Sequence, residues 1–132
     1  MDYFNYYSNL KVIFYDTLQA NIDQVTIELM TLIDADYAAT ADPDPEVKQK
    51  WLPLGLTLKY DPAYDAAHTW VSSMGRCKYL TPVYASLENS GQHDLGVTWY
   101  NENINFYHPV ALSTEARVLG IDTAVYGQQI IQ

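Results

Sequence analysis

The sequence has 132 residues, of which 16 are acidic and seven are basic, so its net charge at neutral pH is −9. A negative field of this size repels phosphate backbones and anionic bilayers, so neither nucleic acid nor a membrane surface is expected as a partner. The content of 48% hydrophobic and 17% charged residues is typical of a globular domain with one core. The single cysteine, Cys77, excludes an internal disulfide and is consistent with a reducing compartment, so we expect a cytoplasmic protein.

Apolar residues recur at spacings of three and four along most of the chain, and this pattern predicts an all-α fold of about seven helices. Ser8 or Asn9 is expected to cap the first helix, and Asn21 or Asp23 to open the second, because short polar side chains bind the free amide groups of a helix start. The Asp-Pro-Asp-Pro run at 42–45 predicts a stop and a restart of helix.

The third helix is expected to run from Pro45 to Leu58, with a kink at Pro53 because proline lacks a backbone donor and clashes with the preceding turn. The fourth helix is expected to start at Pro62. Gly75 is expected to end it in the left-handed conformation that glycine adopts readily.

Three further helices are predicted in the rest of the chain. Thr-Pro at 81–82 begins or reinforces the fifth helix, which should end near 89–91, and the sixth lies around 95–100. His108, before a proline, is expected to cap the seventh helix, or to pack, and the helix should reach Gly120.

Three short motifs are more informative than this pattern. Residues 75–79 read Gly-Arg-Cys-Lys-Tyr, residues 108–109 read His-Pro, and residues 46–51 read Glu-Val-Lys-Gln-Lys-Trp. Together, and in the order in which they follow one another along the chain, they resemble the C-terminal domain of leukotriene A-4 hydrolase and related zinc aminopeptidases. That domain carries a Gly-Arg-x-Lys-aromatic turn, a His-Pro helix start and a Glu-[Ile/Val]-[Arg/Lys]-x-[Arg/Lys]-Trp segment.

The resemblance implies a right-handed, two-layer helical superhelix of the armadillo or HEAT type. It implies a leader at 1–7, the helical domain at 8–120 and a C-terminal tail at 121–132. The implied partner is the catalytic zinc domain of the same enzyme, and the zinc belongs to that domain. The chain itself contains no His-Glu-x-x-His, the pattern that places two imidazoles on one helix face toward one ion. We therefore predict no catalytic residue and no metal ligand in this chain, and no peptide hydrolysis by the chain alone.

Arg76 and Lys78 are the predicted binding residues. The resemblance implies that they face the cleft shared with the zinc domain and hold the carboxylate of a peptide or fatty-acid substrate. A guanidinium can bind a carboxylate through two parallel hydrogen bonds, and a nearby ammonium adds charge. The alternative is that both cations follow a helix and complement its negative C-terminal end, which is worth about 0.3–1 kcal/mol.

Other reactive or aromatic residues are predicted to have structural roles. Cys77 could be a thiol with a lowered pKa beside two cations, but a buried, inert thiol is the favoured interpretation. The aromatic cluster at 3–7 is predicted to be either covered by preceding sequence or exposed as a surface for self-association. The three tryptophans lie on apolar helix faces and are predicted to be core rather than a stacking surface for ligands: Trp51, Trp70 and Trp99.

A second class of function is compatible with the same helices. The chain could be a free-standing helical-repeat adaptor that binds protein through a concave face, without enzymatic activity. A reading frame that continues upstream and contains His-Glu-x-x-His would support the enzyme domain, and a start codon at Met1 would support the adaptor.

Overall fold

A computed structural model of the protein describes residues 3–121, with side chains from residue 7 onward. This part of the chain contains seven α-helices, one 3-10 helix and no strand, so the all-α prediction is confirmed. The chain divides into two compact units, residues 1–66 and 67–132. The two-layer superhelix and the boundaries of leader, domain and tail stay predictions.

The first unit contains three complete helices and the first half of a fourth. These are α1 (Tyr3–Ala20), α2 (Ile27–Tyr37), α3 (Pro45–Thr57) and α4 (Pro62–Val71), with a 3-10 helix at Ile22–Gln24 between α1 and α2. Two predicted starts were wrong. The first helix begins before Ser8, and the second begins after Thr26, whose hydroxyl accepts a hydrogen bond from the amide of Leu29 at 3.1 Å. The asparagine and aspartate at 21 and 23 lie in or next to the 3-10 helix instead.

Trp51 on α3 is at the centre of the first unit and is fully buried. Its ring lies 5.4 Å from that of Tyr15 on α1 and 6.0 Å from that of Tyr60, and its indole nitrogen donates to the hydroxyl of Thr40 at 3.0 Å. Such a ring contributes a large apolar area while its one donor keeps a partner. The core prediction for this tryptophan is therefore confirmed, and α1 packs against α3 around it.

A close approach between α3 and α4 depends on Gly55. A Cβ atom at this position would lie 2.6 Å from the Cβ of Ala63, which is shorter than a van der Waals contact.

Helix α3 begins at Pro45 as predicted, with Asp44 accepting a hydrogen bond from the amide of Glu46 at 3.0 Å. It also continues through Pro53 as one helical segment.

The second unit contains the end of α4 and three further helices, α5 (Cys77–Asn89), α6 (His93–Glu102) and α7 (Pro109–Leu119). The last three all contact one another. His108 caps α7 as predicted, because its Nδ1 accepts from the amide of Val110 at 3.2 Å. Gly120 ends α7 in the left-handed conformation, with φ at 68°.

The junction between α4 and α5 differs from the prediction. Helix α4 ends at Val71, and Gly75 does not have a positive φ, so it is not the left-handed cap that we expected. Helix α5 begins at Cys77, four residues before Thr81, and Pro82 lies inside it. Pro82 is the sixth residue of α5, past the four amides that a helix start leaves unbonded, so its missing N–H removes one bond of the helix, the one to the carbonyl of Lys78.

Tyrosines hold the interior of the second unit together. The hydroxyls of Tyr84 on α5 and Tyr107 lie 2.9 Å apart, and Tyr107 also donates to the carbonyl of Val71 at the end of α4. Tyr100 on α6 donates to the carbonyl of Leu112 on α7 at 2.9 Å. These bonds connect the end of α4 with α5 through Tyr107, which lies in the loop between α6 and α7, and they connect α6 with α7. Among the described residues, no helix has the length and apolar character that crossing a bilayer requires.

Candidate functional site

Arg76 and Lys78 lie at the start of α5. Arg76 is the N-cap residue, with extended backbone angles (φ −79°, ψ 123°), and its side chain makes no capping hydrogen bond. Lys78 is the second residue of the helix, and both side chains are exposed. The first turn of α5 contains no acidic residue.

The two cations belong to the start of α5 rather than to the last turn of α4, and the alternative that they complement the end of α4 stays a prediction. Arg76 follows the last residue of α4, Val71, by five positions, and it caps the next helix instead. The N-terminus of a helix carries roughly half a positive charge, so cations there oppose the helix dipole. Both side chains and the positive end of the α5 dipole thus add to one local positive potential, which favours an anion.

A buried aromatic ring lies beneath the two cations. The guanidinium carbon of Arg76 lies 5.2 Å from the centre of the Tyr79 ring, and the ammonium of Lys78 lies 5.3 Å from it. Both distances are within the range of cation–π attraction. The Tyr79 ring in turn packs against Trp70 with 5.3 Å between ring centres, and only 8% of each residue is exposed. Trp70 and also Trp99, which is 4% exposed, are core residues as predicted.

Gly75, which precedes the two cations, and Cys77, which lies between them, leave the site accessible. A Cβ atom on Gly75 would have no heavy atom within 4 Å. Cys77 is partly exposed, so the prediction of a buried thiol was wrong. It is the first residue of α5, between the two exposed cations in sequence, and burial begins only at Tyr79 and Leu80.

One ionisable side chain that the sequence analysis did not single out is Glu115 on α7, which is fully buried. Its Oε2 accepts a hydrogen bond from the hydroxyl of Thr81 on α5 at 3.0 Å, and its Oε1 has no hydrogen-bond partner in the part of the chain that the structure describes. Burial raises the pKa of this carboxyl to about 7, against the smaller lowering effect of the Thr81 bond. The helical spacing could have indicated its burial, because position 115 falls on the same face of α7 as Leu112 and Leu119.

The remaining histidines make local contacts. His68 lies 2.6 Å from a carboxylate oxygen of Glu102 and stacks on Trp99 with 4.9 Å between ring centres, and His93 lies 2.6 Å from Glu88. Among residues 3–121, no group of three or more histidine, cysteine or acidic side chains is placed to hold a metal ion.

A cavity of about 1010 Å³ lies in the first unit, between the start of α1 and the loop before α3. Tyr7 and Tyr37 form part of its wall, and both are exposed, at 56% and 65%. Asp42 in the same wall is buried and forms an ion pair with Lys11 at 2.9 Å. Of the aromatic cluster at 3–7, only the Tyr7 side chain is within the described side chains, so the predicted covering or self-association of that cluster stays open.

Comparison with known proteins decides the family. The model of the family described as "Leukotriene A4 hydrolase, C-terminal" matches residues 6–119. The chain belongs to this family. Its Gly-Arg-Cys-Lys-Tyr segment, which forms the start of α5, and its His-Pro segment, which starts α7, both lie inside the match.

Curated relatives of this leukotriene A4 hydrolase C-terminal domain are fungal aminopeptidases. The chain is 28% identical over 112 residues to leucine aminopeptidase 2 of Phaeosphaeria nodorum, an alignment that covers 85% of the chain and 18% of that protein. It is 30% identical over 83 residues to leucine aminopeptidase 2 of Yarrowia lipolytica, covering 63% of the chain and 13% of that protein. The chain thus spans less than a fifth of the length of these relatives. No solved structure matches it significantly.

Proposed function

We propose that this chain completes the substrate cleft of a zinc aminopeptidase of the leukotriene A4 hydrolase type, and that Arg76 and Lys78 bind the carboxylate of a peptide or fatty-acid substrate. The catalytic zinc domain is its partner and supplies the metal and the hydrolytic chemistry. Family membership supports the role as a C-terminal domain, and the fungal relatives are named as leucine aminopeptidases.

The observation that carries the proposal is the position of the two cations at the start of α5. In a chain of net charge −9, two of only seven basic residues lie within one helical turn, where no acidic residue of that turn accompanies them. They oppose the dipole of α5 there, at a cost of roughly 0.3–1 kcal/mol each, so their placement is not explained by the stability of that helix. A bound carboxylate would reverse this cost, since it is attracted by both side chains and by the positive end of the α5 dipole.

Anchoring a remote carboxylate has a mechanistic use. It fixes the distance from that end of the substrate to the bond that is hydrolysed, and positioning of this sort accounts for much of the rate gain in many enzymes. A planar guanidinium fixes the orientation of the carboxylate, and the ammonium adds attraction with less demand on geometry. The two cations therefore have different expected contributions, with Arg76 setting the orientation.

The binding step is testable on the isolated chain. We expect acetyl-dialanine with a free carboxylate to shift the NMR signals of the Arg76 Nε–H and the first amides of α5, and its C-terminal amide to leave them unchanged. Arg76→Gln should weaken the binding of the free acid about 10-fold or more, the loss of a charge-assisted hydrogen-bond pair. Arg117→Gln, which removes an exposed arginine near the end of α7, is the matched control. Equal binding of acid and amide by the wild-type chain would refute the proposal.

The rival proposal is a helical-repeat adaptor without enzymatic activity. It predicts no selectivity for the free acid over the amide. A continuous reading frame upstream with His-Glu-x-x-His favours the aminopeptidase domain. In either case the isolated chain should release no aniline from an aminoacyl anilide, and metal-dependent release by the pure chain would contradict both.

A further inference from the structure

We propose that a groove in the first unit binds an arginine side chain of a partner polypeptide, together with apolar residues next to that arginine. The groove consists of the cavity of about 1010 Å³ at the start of α1 and a smaller one of about 220 Å³ further along the same helix. Lys11 and Tyr37 line both cavities, so the two adjoin. Ligand pockets usually measure about 300–1,000 Å³, so the larger cavity has room for several peptide residues rather than one ion.

The smaller cavity offers an apolar surface. Leu10 and Phe14 lie one helical turn apart on the same face of α1, and they are 46% and 41% exposed. The ring of Tyr37 on α2 lies 6.1 Å from that of Phe14, and this tyrosine is exposed as well. Covering such a surface is favourable in proportion to the apolar area removed from water, so this end of the groove favours apolar side chains.

The larger cavity contains a cation that is already paired. Lys11 donates to Oδ2 of Asp42 at 2.9 Å, and Oδ1 of the same buried aspartate accepts from the amide of Asp44 at 2.9 Å. The charges of Lys11 and Asp42 therefore cancel at short range, and a second cation in the cavity does not meet a free lysine. The pair also ties the loop before α3 to α1.

Asp44 is the anionic group that the cavity offers to a ligand. Its Oδ1 accepts the capping hydrogen bond from the amide of Glu46, and within the described residues its Oδ2 makes no hydrogen bond. The start of α3 offsets roughly half of this charge, which leaves the wall negative. A guanidinium can bind a carboxylate through parallel hydrogen bonds and stack on an aromatic ring, so Asp44 and Tyr37 in one wall favour arginine over lysine.

The charge of the whole chain favours a different polypeptide over a second copy as the occupant. A second copy has the same net charge of −9 and only seven basic residues, so two copies repel each other. A basic and apolar segment of another polypeptide is complementary to the groove in both respects. None of the residues of the proposed carboxylate site lines either cavity, so the two proposals are independent.

The test uses acetyl-Leu-Leu-Arg-amide, whose blocked ends exclude carboxylate binding and hydrolysis by an aminopeptidase. In NMR titrations of the chain, we expect this peptide to shift the backbone amide signals of Lys11, Tyr37 and Asp44. The same peptide with citrulline in place of arginine keeps the shape without the charge, and it should bind about 3- to 10-fold more weakly. Equal affinities for the two peptides, absence of binding, or shifts confined to the second unit would overturn the proposal.

Asp44→Asn separates the charge from the fold, because asparagine caps a helix as well as aspartate does. This variant should lose the preference for arginine over citrulline. Asp94→Asn removes an exposed acid of the second unit and should bind within about 2-fold of the wild type, which controls for general attraction to an acidic chain. Tyr37→Ala should bind the arginine peptide about 2- to 5-fold more weakly, since it loses the ring face. A preference for arginine that persists in Asp44→Asn would refute the site.

A complete enzyme decides whether the occupant is a separate polypeptide. A chimera in which leucine aminopeptidase 2 of Phaeosphaeria nodorum carries this chain in place of its matched segment should bind the arginine peptide within about 3-fold of the isolated chain. Loss of binding in the chimera alone would overturn a separate partner, because the enzyme's own domains would then cover the groove.

Discussion

Thr81 on α5 and Glu115 on α7 are hydrogen-bonded inside the second unit, with 3.0 Å between the hydroxyl and the carboxylate oxygen. The other carboxylate oxygen of Glu115 is buried and has no hydrogen-bond partner among the described residues. One hydroxyl donor is too little to offset the burial of a full negative charge, so the neutral acid is the form that fits this interior.

The buried acid makes the stability of the chain depend on pH. The pKa of Glu115 rises from 4.5 to about 7 on folding, so between these values the folded state binds a proton that the unfolded state has lost. The stabilisation is complete below pH 4.5 and is lost as pH rises through 7. We expect this group to lower the free energy of unfolding by about 1–3 kcal/mol between pH 5 and pH 8, measured by urea denaturation.

Glu115→Gln isolates this effect, because the amide keeps the shape and cannot ionise. The variant should lose most of the pH dependence and should be more stable than the wild type at pH 8. Glu28→Gln removes an exposed carboxylate and is the matched control. Parallel stability curves for the wild type and Glu115→Gln from pH 5 to pH 8 would be inconsistent with a buried neutral acid.

Gly55 and Gly75 are predicted to differ in how well they tolerate an added methyl group. An added methyl at Gly55 would lie 2.6 Å from the Cβ of Ala63, whereas one at Gly75 would meet no heavy atom within 4 Å. Gly55→Ala should therefore force α3 and α4 apart and cost about 1–3 kcal/mol in unfolding free energy. Gly75→Ala should change it by less than about 0.5 kcal/mol. Thermal denaturation of the two variants measures the difference, and equal costs would disprove the close approach.

Asp34 on α2 organises the loop before α3. Its carboxylate accepts hydrogen bonds from the amide and hydroxyl of Thr40, at 2.8 and 2.6 Å, and from the hydroxyl of Tyr60 at 2.7 Å. Burial acts to raise the pKa of Asp34, but these bonds together outweigh it and hold the pKa below its usual value of 3.8. The bonds therefore stabilise the fold above pH 3.8, and the stabilisation is lost as pH falls below that value.

Asp34→Ala should cost about 1–3 kcal/mol at pH 7, because it leaves the donors of Thr40 and Tyr60 without this acceptor. The cost should shrink as the wild-type carboxyl is protonated in acid. Asp36→Ala, an exposed position on the same helix, is the control and should cost less than about 0.5 kcal/mol. Urea denaturation at pH 7 and at a pH below 3.8 measures the cost of each substitution. A cost for Asp34→Ala no larger than that of Asp36→Ala would rule out the network as a source of stability.

The sequence carried enough information for the helices but not for the junction that bears the site. Spacing of apolar residues gave the all-α class, and strong local signals located the starts of α3 and α7, where proline follows Asp44 and His108. The start of α5 has no such signal, because arginine is not a preferred cap and Gly75 suggested the end of a helix. Helix α5 packs against α6 and α7, and such tertiary contacts are not visible in local sequence.

The motif located the predicted site in the sequence, but the contacts of its two cations are visible only in the structure. Arg76 and Lys78 were identified from the family resemblance. The ring of Tyr79 was part of that motif, but its distance from both cations and its packing on Trp70 follow from the structure alone. Glu115 was overlooked because a charged residue is usually assigned to the surface, although its spacing places it on the apolar face of α7.

The most direct test of the proposed role uses a complete enzyme. Leucine aminopeptidase 2 of Phaeosphaeria nodorum would carry this chain in place of its matched segment, with and without Arg76→Gln, and kcat/KM would be measured for one peptide as free acid and as C-terminal amide. We predict a loss of about 10- to 100-fold for the acid, with the amide within about 2-fold. Equal losses for both substrates would contradict carboxylate binding by Arg76.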